Sequence, residues 1–205
     1  MNKRYQAVIF DLGGVLVNWD PRHLYGRFFN DDVAAMDRFL AEIDFTGWNL
    51  EQDRGRLFAT GVAELSTKYP HHADLIRAYD QHWEDSITGQ IDGSVELLRA
   101  LKAAGYSVNL LSNISREKFE VLHRKYDFFS EFDDCLISAD VRLLKPDPRI
   151  YALMLAQIDQ AAGDCIFIDD SAANVAGADR VGMTAIHFQS PHQLKAELQH
   201  HGVLD

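Results

Sequence analysis

The hydrophobic positions of this chain fall into five short, nearly continuous runs and not into an alternating pattern. The runs are AVIF (7–10), SVNLLS (107–112), CLIS (135–138), CIFID (165–169) and TAIHF (184–188). Strands that are buried on both faces have this pattern, and such strands are typical of parallel sheets. The sequence therefore predicts a parallel sheet of five strands.

Helical patterns separate the later four runs. They cover SREKFEVLHRKY (115–126), PRIYALMLAQI (148–158) and SAANVAGADRVG (171–182). The second pattern follows Asp147, a favourable N-cap residue, and has Pro148 at its first helical position. Because strands and helices alternate, we predict a doubly wound, Rossmann-like α/β fold.

The connection after the first run is different. From residue 17 to about residue 92 no comparable buried strand is predicted, and the segment has the pattern of amphipathic helices, such as DDVAAMDRFLAEI (31–43) and GVAELSTKY (61–69). A segment of about 75 residues is too long for a loop in a compact domain. We therefore predict an α/β core formed by residues 1–16 and 93–205, and a helical cap, residues 17–92, inserted after the first strand.

Composition and charge limit the classes of partner. The chain has 205 residues and carries 31 acidic against 20 basic side chains, a net charge of −11. Nucleic acids and anionic membranes are bound by clustered Lys and Arg, so we expect neither as a partner. No run approaches the ~18 apolar residues of a membrane-spanning helix. The two cysteines, Cys135 and Cys165, are typical of reduced core thiols in a cytoplasmic protein. Nothing in the sequence predicts an oligomeric state.

Polar residues follow four of the predicted strands, at the sheet edge where open α/β folds bind their ligands. Asp11 ends the first run, Ser112 and Asn113 end the second, Lys145 lies in the loop after the third, and Asp169 and Asp170 end the fourth. Each residue alone has a structural explanation, since a strand-end Asp often caps a turn and most lysines are exposed. Together they predict one site with a nucleophile, a hydroxyl, an amide, an ammonium group and paired carboxylates.

These segments resemble the four motifs of the haloacid dehalogenase superfamily. DLGGVL (11–16), SN (112–113), KP (145–146) and DDSAAN (169–174) occur in the superfamily's order, and the likeness covers the whole chain, with residues 17–92 in the place of the helical cap. The variants FDLGGVLV, LSN, KPDPRIY and FIDDSAANVAGA are most similar to the glucose-1-phosphate-phosphatase-like branch. The resemblance implies a phosphatase that acts on a small phosphorylated metabolite, with a sugar phosphate as one candidate.

The resemblance also implies which residues carry out the reaction. Asp11 would attack phosphorus and form an aspartyl-phosphate, which divides hydrolysis into two easier steps. Lys145 would be catalytic and would offset charge beside the phosphoryl oxygens. Ser112 and Asn113 would bind those oxygens together with backbone N–H groups.

A magnesium site is implied in the same way. Mg²⁺ would be held by Asp11, Asp170 and the backbone carbonyl of Gly13, because hard oxygen ligands suit this ion. Asp170 aligns with the acidic ligand of the superfamily better than Asp169 does. Asp169 and Asn174 would then support the ligands from behind.

Gly13 departs from the pattern of many phosphatases of this superfamily, in which an aspartate at this position protonates the leaving group. The acid is missing here, so the leaving oxygen needs another proton source. Asp20 is a candidate substitute acid or substrate-binding group, although an aspartate before proline is more often a turn residue. Within the predicted cap, EQDRGRLF (51–58) resembles the segment that faces the substrate, which makes Asp53 and Arg54 candidates for selectivity.

Two other functions compete with a phosphatase. A 2-haloacid dehalogenase would also use Asp11 as its nucleophile without a second acid in the first motif, but it needs no metal and lacks an acidic residue at the position of Asp170. The second alternative is a catalytically weak regulatory binding protein on the same fold. The presence of Asp11, Lys145 and Asp170 together favours an enzyme, a phosphoric monoester hydrolase.

Overall fold

A five-stranded parallel sheet lies at the centre of the computed structural model, which describes residues 4–204. The strands in chain order are β1 (Ala7–Phe10), β2 (Val17–Trp19), β3 (Ile87–Gln90), β4 (Ser107–Ser112), β5 (Asp134–Ile137), β6 (Cys165–Asp169) and β7 (Thr184–His187). The parallel sheet has the order β5-β4-β1-β6-β7. The predicted α/β fold is confirmed. Residues 1–3 and 205, which the predicted core includes, lie outside the described residues.

The central strand β1 shows why the apolar runs are continuous. Ala7 and Ile9 pack into one apolar cluster, whereas Val8 and Phe10 pack into another. Successive side chains of a strand point to opposite faces of the sheet, so the two clusters lie on its two faces. With apolar layers on both faces, every position of β1 is buried and must be apolar.

Residues 17–92, hereafter the helical segment, contain five α-helices and a two-stranded ribbon. The helices are α1 (Pro21–Phe29), α2 (Val33–Glu42), α3 (Phe45–Asp53), α4 (Phe58–Lys68) and α5 (Ala73–Gln81), with short 3-10 helices at Pro70–His72 and Trp83–Ser86. The ribbon pairs β2 with β3 in antiparallel fashion at the two ends of the segment. The sequence did not predict it, because strands of three and four residues are too short to show a period.

The remaining helices belong to the part of the chain that builds the sheet. They are α6 (Asp92–Ala103), α7 (Arg116–Lys125), α8 (Ser138–Val141), α9 (Pro148–Gln157), α10 (Ala172–Arg180) and α11 (Pro191–His200), with 3-10 helices at Asp127–Glu131 and Ala162–Asp164. The predicted cap of α9 is confirmed, since the Asp147 carboxylate accepts a hydrogen bond from the Arg149 backbone N–H at 3.0 Å. Among residues 4–204, none of the helices combines the length and the apolar character that a bilayer-spanning helix requires.

Ser138 ties the helical segment to the carboxyl edge of the parallel sheet. This fully buried residue follows β5, and its hydroxyl donates to the Asp53 carbonyl at 2.6 Å. The same Oγ accepts a hydrogen bond from the Ile114 backbone N–H at 3.0 Å. One hydroxyl therefore fixes the last turn of α3 beside the connection that follows β4.

Candidate active site

The polar residues that follow the strands meet at one edge of the sheet, as the sequence predicted. Asp11 follows β1, Ser112 ends β4, and Asp169 ends β6. These strands are neighbours in the order β4-β1-β6, so their carboxyl ends lie side by side. A cavity of about 390 Å³ opens there, between the sheet edge and the helical segment, and Asp11, Gly13, Ser112, Asn113 and Asp170 line it.

The Lys145 ammonium group connects the residues at the base of this cavity. Its side chain is 0% exposed, and Nζ contacts Asp11 Oδ1 at 2.9 Å and Asp169 Oδ2 at 2.6 Å. Nζ also donates to the Leu111 carbonyl at 2.9 Å. Burial lowers the pKa of Lys145, but the two carboxylates outweigh it and the pKa is raised. The lysine therefore stays charged although it is fully buried.

Asp169 and Asn174 hold this lysine from the side away from the cavity. The Asn174 amide donates to both oxygens of Asp169, at 3.0 and 3.2 Å, and the Ser171 backbone N–H donates to Oδ1 at 2.8 Å. Asp169 is fully buried, and neither it nor Asn174 lines the cavity. Their contacts fix the carboxylate that faces Lys145.

The Asp11 carboxylate is held through one of its two oxygens. Oδ1 accepts a hydrogen bond from the Leu12 backbone N–H at 2.7 Å and contacts Lys145. These contacts leave Oδ2 for a ligand in the cavity. Burial raises the pKa of Asp11 more than Lys145 lowers it, to about 7.

Three carboxylates form a cluster that fits a hard cation. Asp11, Asp169 and Asp170 each offer one oxygen, and these oxygens lie within 4.8 Å of one another. Asp169 is already paired, so Asp11 and Asp170 are the two that could bind an ion from the cavity. Burial raises the pKa of Asp170, and the negative charge of the neighbouring Asp169 raises it further. An all-oxygen set of this kind suits Mg²⁺.

Gly14 allows the backbone to approach the Asp170 carboxylate. Its φ of +73° lies in the left-handed region that favours glycine, and a Cβ atom at this position would overlap the Asp170 carboxylate. Gly13, by contrast, has nothing within 4 Å of the place where a Cβ would lie. A side chain at position 13 would therefore extend into free space in the cavity.

The side chains of Asn113 and Ser112 differ in what they contact. The Asn113 amide donates to the Lys145 carbonyl at 3.1 Å and its Oδ1 accepts from the Lys145 backbone N–H at 2.8 Å. The amide therefore positions the lysine loop, and because Asn113 also lines the cavity, its contact with phosphoryl oxygens stays a prediction. Ser112 is 3% exposed and lines the cavity, in agreement with a ligand-binding hydroxyl.

Two residues predicted to bind substrate do not line the cavity. Asp20 caps α1, where its carboxylate accepts a hydrogen bond from the Arg22 backbone N–H at 2.8 Å and pairs with the Arg22 guanidinium group. Arg54 is half exposed and pairs with Glu51 at 2.7 Å. Both side chains are engaged in local contacts at the ends of helices and lie outside the cavity lining, and their binding of substrate stays a prediction.

Asp53 is the predicted residue of the helical segment that does line the cavity. Its side chain is buried, and Oδ2 accepts a hydrogen bond from the Asn49 amide at 3.0 Å. Burial, together with the negative charge of Asp11, raises the pKa of Asp53 to about 8. Burial therefore favours the protonated form of the Asp53 carboxyl group.

The sequence did not identify most of the residues that form the cavity walls. Leu50 and Phe58 line it from the helical segment, and Lys118 and Leu122 line it from α7. A signal was present in α7, because Lys118 lies one turn before Leu122 and therefore on the buried face of the helix. Apolar residues of a helix otherwise give the same pattern whether they face a core or a cavity.

Comparison with known proteins shows the family. A protein-family profile described as haloacid dehalogenase-like hydrolase matches residues 5–182. The chain belongs to the haloacid dehalogenase-like hydrolase family. The superfamily resemblance seen in the motifs is thus confirmed, whereas the glucose-1-phosphate-phosphatase-like branch stays a prediction.

Curated relatives include enzymes with different reactions. The sesquiterpene phosphatase astK of Aspergillus oryzae is 29% identical over 185 residues, which are 90% of this chain and 90% of that protein. Drimenol cyclase drtB of Aspergillus calidoustus is 27% identical over 94% of this chain, which spans only 36% of that longer protein. (S)-2-haloacid dehalogenase 1 of a Pseudomonas species is 28% identical over 46% of this chain and 42% of its own length.

Solved structures support the fold. A haloacid dehalogenase family enzyme from Bacteroides thetaiotaomicron, crystallised with magnesium and inorganic phosphate, superposes with a TM-score of 0.69. The alignment covers 91% of this chain and 95% of that one at 20% identity. At this identity the likeness concerns the fold.

The raised pKa of Asp53 predicts a pH-dependent stability. Because the pKa rises from its ordinary value of 3.8 to about 8, the folded protein holds this proton more tightly than the unfolded chain does. The resulting stabilisation is complete below about pH 4 and is lost as the pH rises towards 8, by at most about 1.4 kcal/mol per pH unit. We expect Asp53→Asn to remove this part of the pH dependence when the free energy of unfolding is measured in urea from pH 5 to pH 8.

The matched control is Glu51→Gln, which neutralises an exposed carboxylate of the same helix. It should keep the pH dependence of the wild type. Parallel stability profiles for the wild type and Asp53→Asn would contradict the burial of a protonated Asp53.

Proposed function

We propose that this hydrolase is a magnesium-dependent phosphatase that releases phosphate from a small phosphorylated metabolite through an aspartyl-phosphate on Asp11. The observation that carries the proposal is the contact of one buried lysine, Lys145, with both Asp11 and Asp169, beside a third carboxylate, Asp170, in the same cluster. The names of the sesquiterpene phosphatase and of the magnesium- and phosphate-bound Bacteroides enzyme support it. A sugar phosphate as substrate stays a prediction from the resemblance.

In the first step Asp11 Oδ2 attacks phosphorus, and the bond from phosphorus to the ester oxygen breaks. Lys145 holds the opposite carboxylate oxygen, which fixes the direction of attack. The Ser112 hydroxyl donates to a phosphoryl oxygen. Mg²⁺ held by Asp11, Asp170 and the Gly13 carbonyl would reduce the repulsion between the carboxylates and the phosphoryl group.

The departing ester oxygen needs a proton, which position 13 does not supply. We assign this proton to Asp53, because Asp53 is a protonated carboxyl group in the same cavity as Asp11. In the second step the Asp53 carboxylate takes a proton from the water that attacks the aspartyl-phosphate. Phosphate leaves, and both aspartates return to their starting states.

The dehalogenase alternative is less consistent with the site. Its chemistry needs no metal, whereas this cavity brings Asp170 close enough to Asp11 to share a cation. The dehalogenase relative also matches less than half of this chain. A catalytically weak binding protein would retain the fold and the cavity but would release no phosphate, which the first experiment below tests.

The first prediction concerns the nucleophile. A panel of phosphate esters assayed with and without Mg²⁺ should show phosphate release only with the metal. Asp11→Asn should lower turnover by many orders of magnitude, because the attacking carboxylate is lost while the shape of the side chain is kept. Asp74→Asn, at an exposed carboxylate, is the control and should be fully active. Retention of a tenth of the activity by Asp11→Asn would exclude Asp11 as the nucleophile.

The second prediction separates the two neighbouring acids. Asp170→Asn should weaken Mg²⁺ binding with little change in the free energy of unfolding. Loss of a residue that only supports a metal ligand costs roughly 10- to 100-fold in affinity, so loss of a ligand itself should cost at least as much. Asp169→Asn should instead lower the free energy of unfolding by about 2–3 kcal/mol, because the buried Lys145 loses a charged partner. Calorimetric Mg²⁺ titration and urea unfolding of both variants measure the two effects. The opposite assignment of effects would make Asp169 the metal ligand.

The third prediction concerns the proton donor. General acid catalysis contributes about 10²–10⁴-fold and matters most for poor leaving groups. Asp53→Asn should therefore lower kcat/KM strongly for alkyl phosphates and only slightly for 4-nitrophenyl phosphate, whose leaving group is stable as an anion. Gly13→Asp, added to Asp53→Asn, should recover part of the alkyl phosphate activity, since position 13 has free space for a side chain. Equal losses for both substrate classes would mean that Asp53 does not donate the proton.

A further inference from the structure

The cavity beside Asp11 has mainly apolar walls. Aromatic and aliphatic side chains come from β2, α3, α4, β3 and α7, among them Trp19, Leu50, Phe58, Ile87 and Leu122. The volume of about 390 Å³ falls within the range of pockets that bind small organic molecules. The carboxylate cluster is at the sheet edge, so the apolar walls are left for the part of a ligand that does not react.

Among the polar side chains on these walls, those of Lys118, Asn49 and Tyr79 are already paired within the protein. The Lys118 ammonium donates to Asp80 Oδ1 at 2.6 Å and to the Asp80 carbonyl at 3.1 Å. The Asn49 amide donates to Asp53, and its Oδ1 accepts a hydrogen bond from the Tyr79 hydroxyl at 3.5 Å. Hydroxyl groups of a sugar would lose water in this cavity and find few free partners, which disfavours their binding.

We propose that the site selects phosphate monoesters whose carbon part is apolar over polyhydroxylated esters such as sugar phosphates. The proposal rests on the proposed phosphatase function, because it takes the carboxylate cluster as the end that receives the phosphoryl group. With that group beside Asp11 and Ser112, the carbon chain of the ester replaces water along the apolar walls. The gain in binding then grows with the apolar area that is buried.

A series of primary n-alkyl phosphates, from ethyl to decyl phosphate, tests this proposal. The leaving group is a primary alkoxide throughout, so only the apolar area changes. With Mg²⁺ present and every ester below its micelle concentration, we expect kcat/KM to rise about two- to fourfold per methylene until the cavity is full. A rate that does not depend on chain length, or glucose 6-phosphate hydrolysed faster than decyl phosphate, would overturn the proposal.

Binding of n-alkyl phosphonates, which cannot be hydrolysed at the ester position, separates this proposal from the proposed function. Affinity measured by calorimetry on the wild type should rise from methyl- to decylphosphonate, with an increasingly negative heat capacity change. Such binding without phosphate release from any ester or from the anhydride acetyl phosphate would refute the phosphatase and support the apolar site. Phosphate release with no effect of chain length on either rate or affinity would refute the apolar site and support the phosphatase.

A matched pair of variants locates the effect. Leu50→Gln places an amide on the cavity wall at a half-buried position, whereas Leu57→Gln changes a side chain that is 62% exposed and does not line the cavity. We expect Leu50→Gln to lower kcat/KM for decyl phosphate at least about tenfold and to leave ethyl phosphate within about twofold, and Leu57→Gln to change neither. Equal effects of both variants on decyl phosphate would contradict the proposal.

Thr46→Val is a second variant, and because Thr46 is exposed, the substitution does not disturb the buried core. Thr46 is an exposed residue that lines the cavity, and the substitution replaces its hydroxyl by a methyl group. Hydrolysis of decyl phosphate should be unchanged or faster. A loss of activity on glucose 6-phosphate without a loss on decyl phosphate would show that the site recognises hydroxyl groups and would overturn the proposal.

Discussion

The buried ammonium group of Lys145, between Asp11 and Asp169, is the interaction on which the other features of the site depend. A charged lysine without exposure is costly unless carboxylates compensate it closely, and removal of either partner leaves charge uncompensated. The strands β1 and β6 must therefore end at the same level of the sheet, so that both carboxylates reach the same ammonium group. The Asn113 amide fixes the lysine backbone, and Asn174 fixes the far carboxylate. Most of these polar contacts at the sheet edge therefore hold the Lys145 ammonium group in place.

This arrangement explains which features could be predicted from the sequence. Strands buried on both faces must be apolar throughout, so the runs at β1 and β6 mark both the sheet and the position of Asp11 and Asp169 at its edge. The convergence of these residues follows from parallel topology. The same pattern does not show which atoms a side chain contacts, so it did not predict that the Asn113 amide binds the Lys145 backbone.

The roles of side chains in the helical segment were harder to predict, because these side chains can also cap helices or pair with neighbouring residues. Asp20 is used by the first turn of α1, and Arg54 by a neighbouring Glu51, so neither contacts the cavity. The Asp53 backbone is held at the sheet edge, where Ser138 donates to its carbonyl, and the Asp53 side chain lines the cavity. An aspartate in a helical sequence looks the same in all of these situations, and only the packing between helix and sheet distinguishes them.

The apolar walls and the protonated Asp53 have one physical cause. The buried Asp53 carboxyl group lines a cavity with mainly apolar walls and loses hydration there, and this loss is the largest contribution to its raised pKa. An apolar ester would remove still more water and keep the proton on Asp53 until the ester oxygen departs. A polyhydroxylated ligand would bring hydroxyl groups to the carboxylate and lower that pKa. The choice of substrate and the supply of the proton are therefore coupled: a cavity that holds its acid protonated by excluding water works best with a ligand that excludes water too.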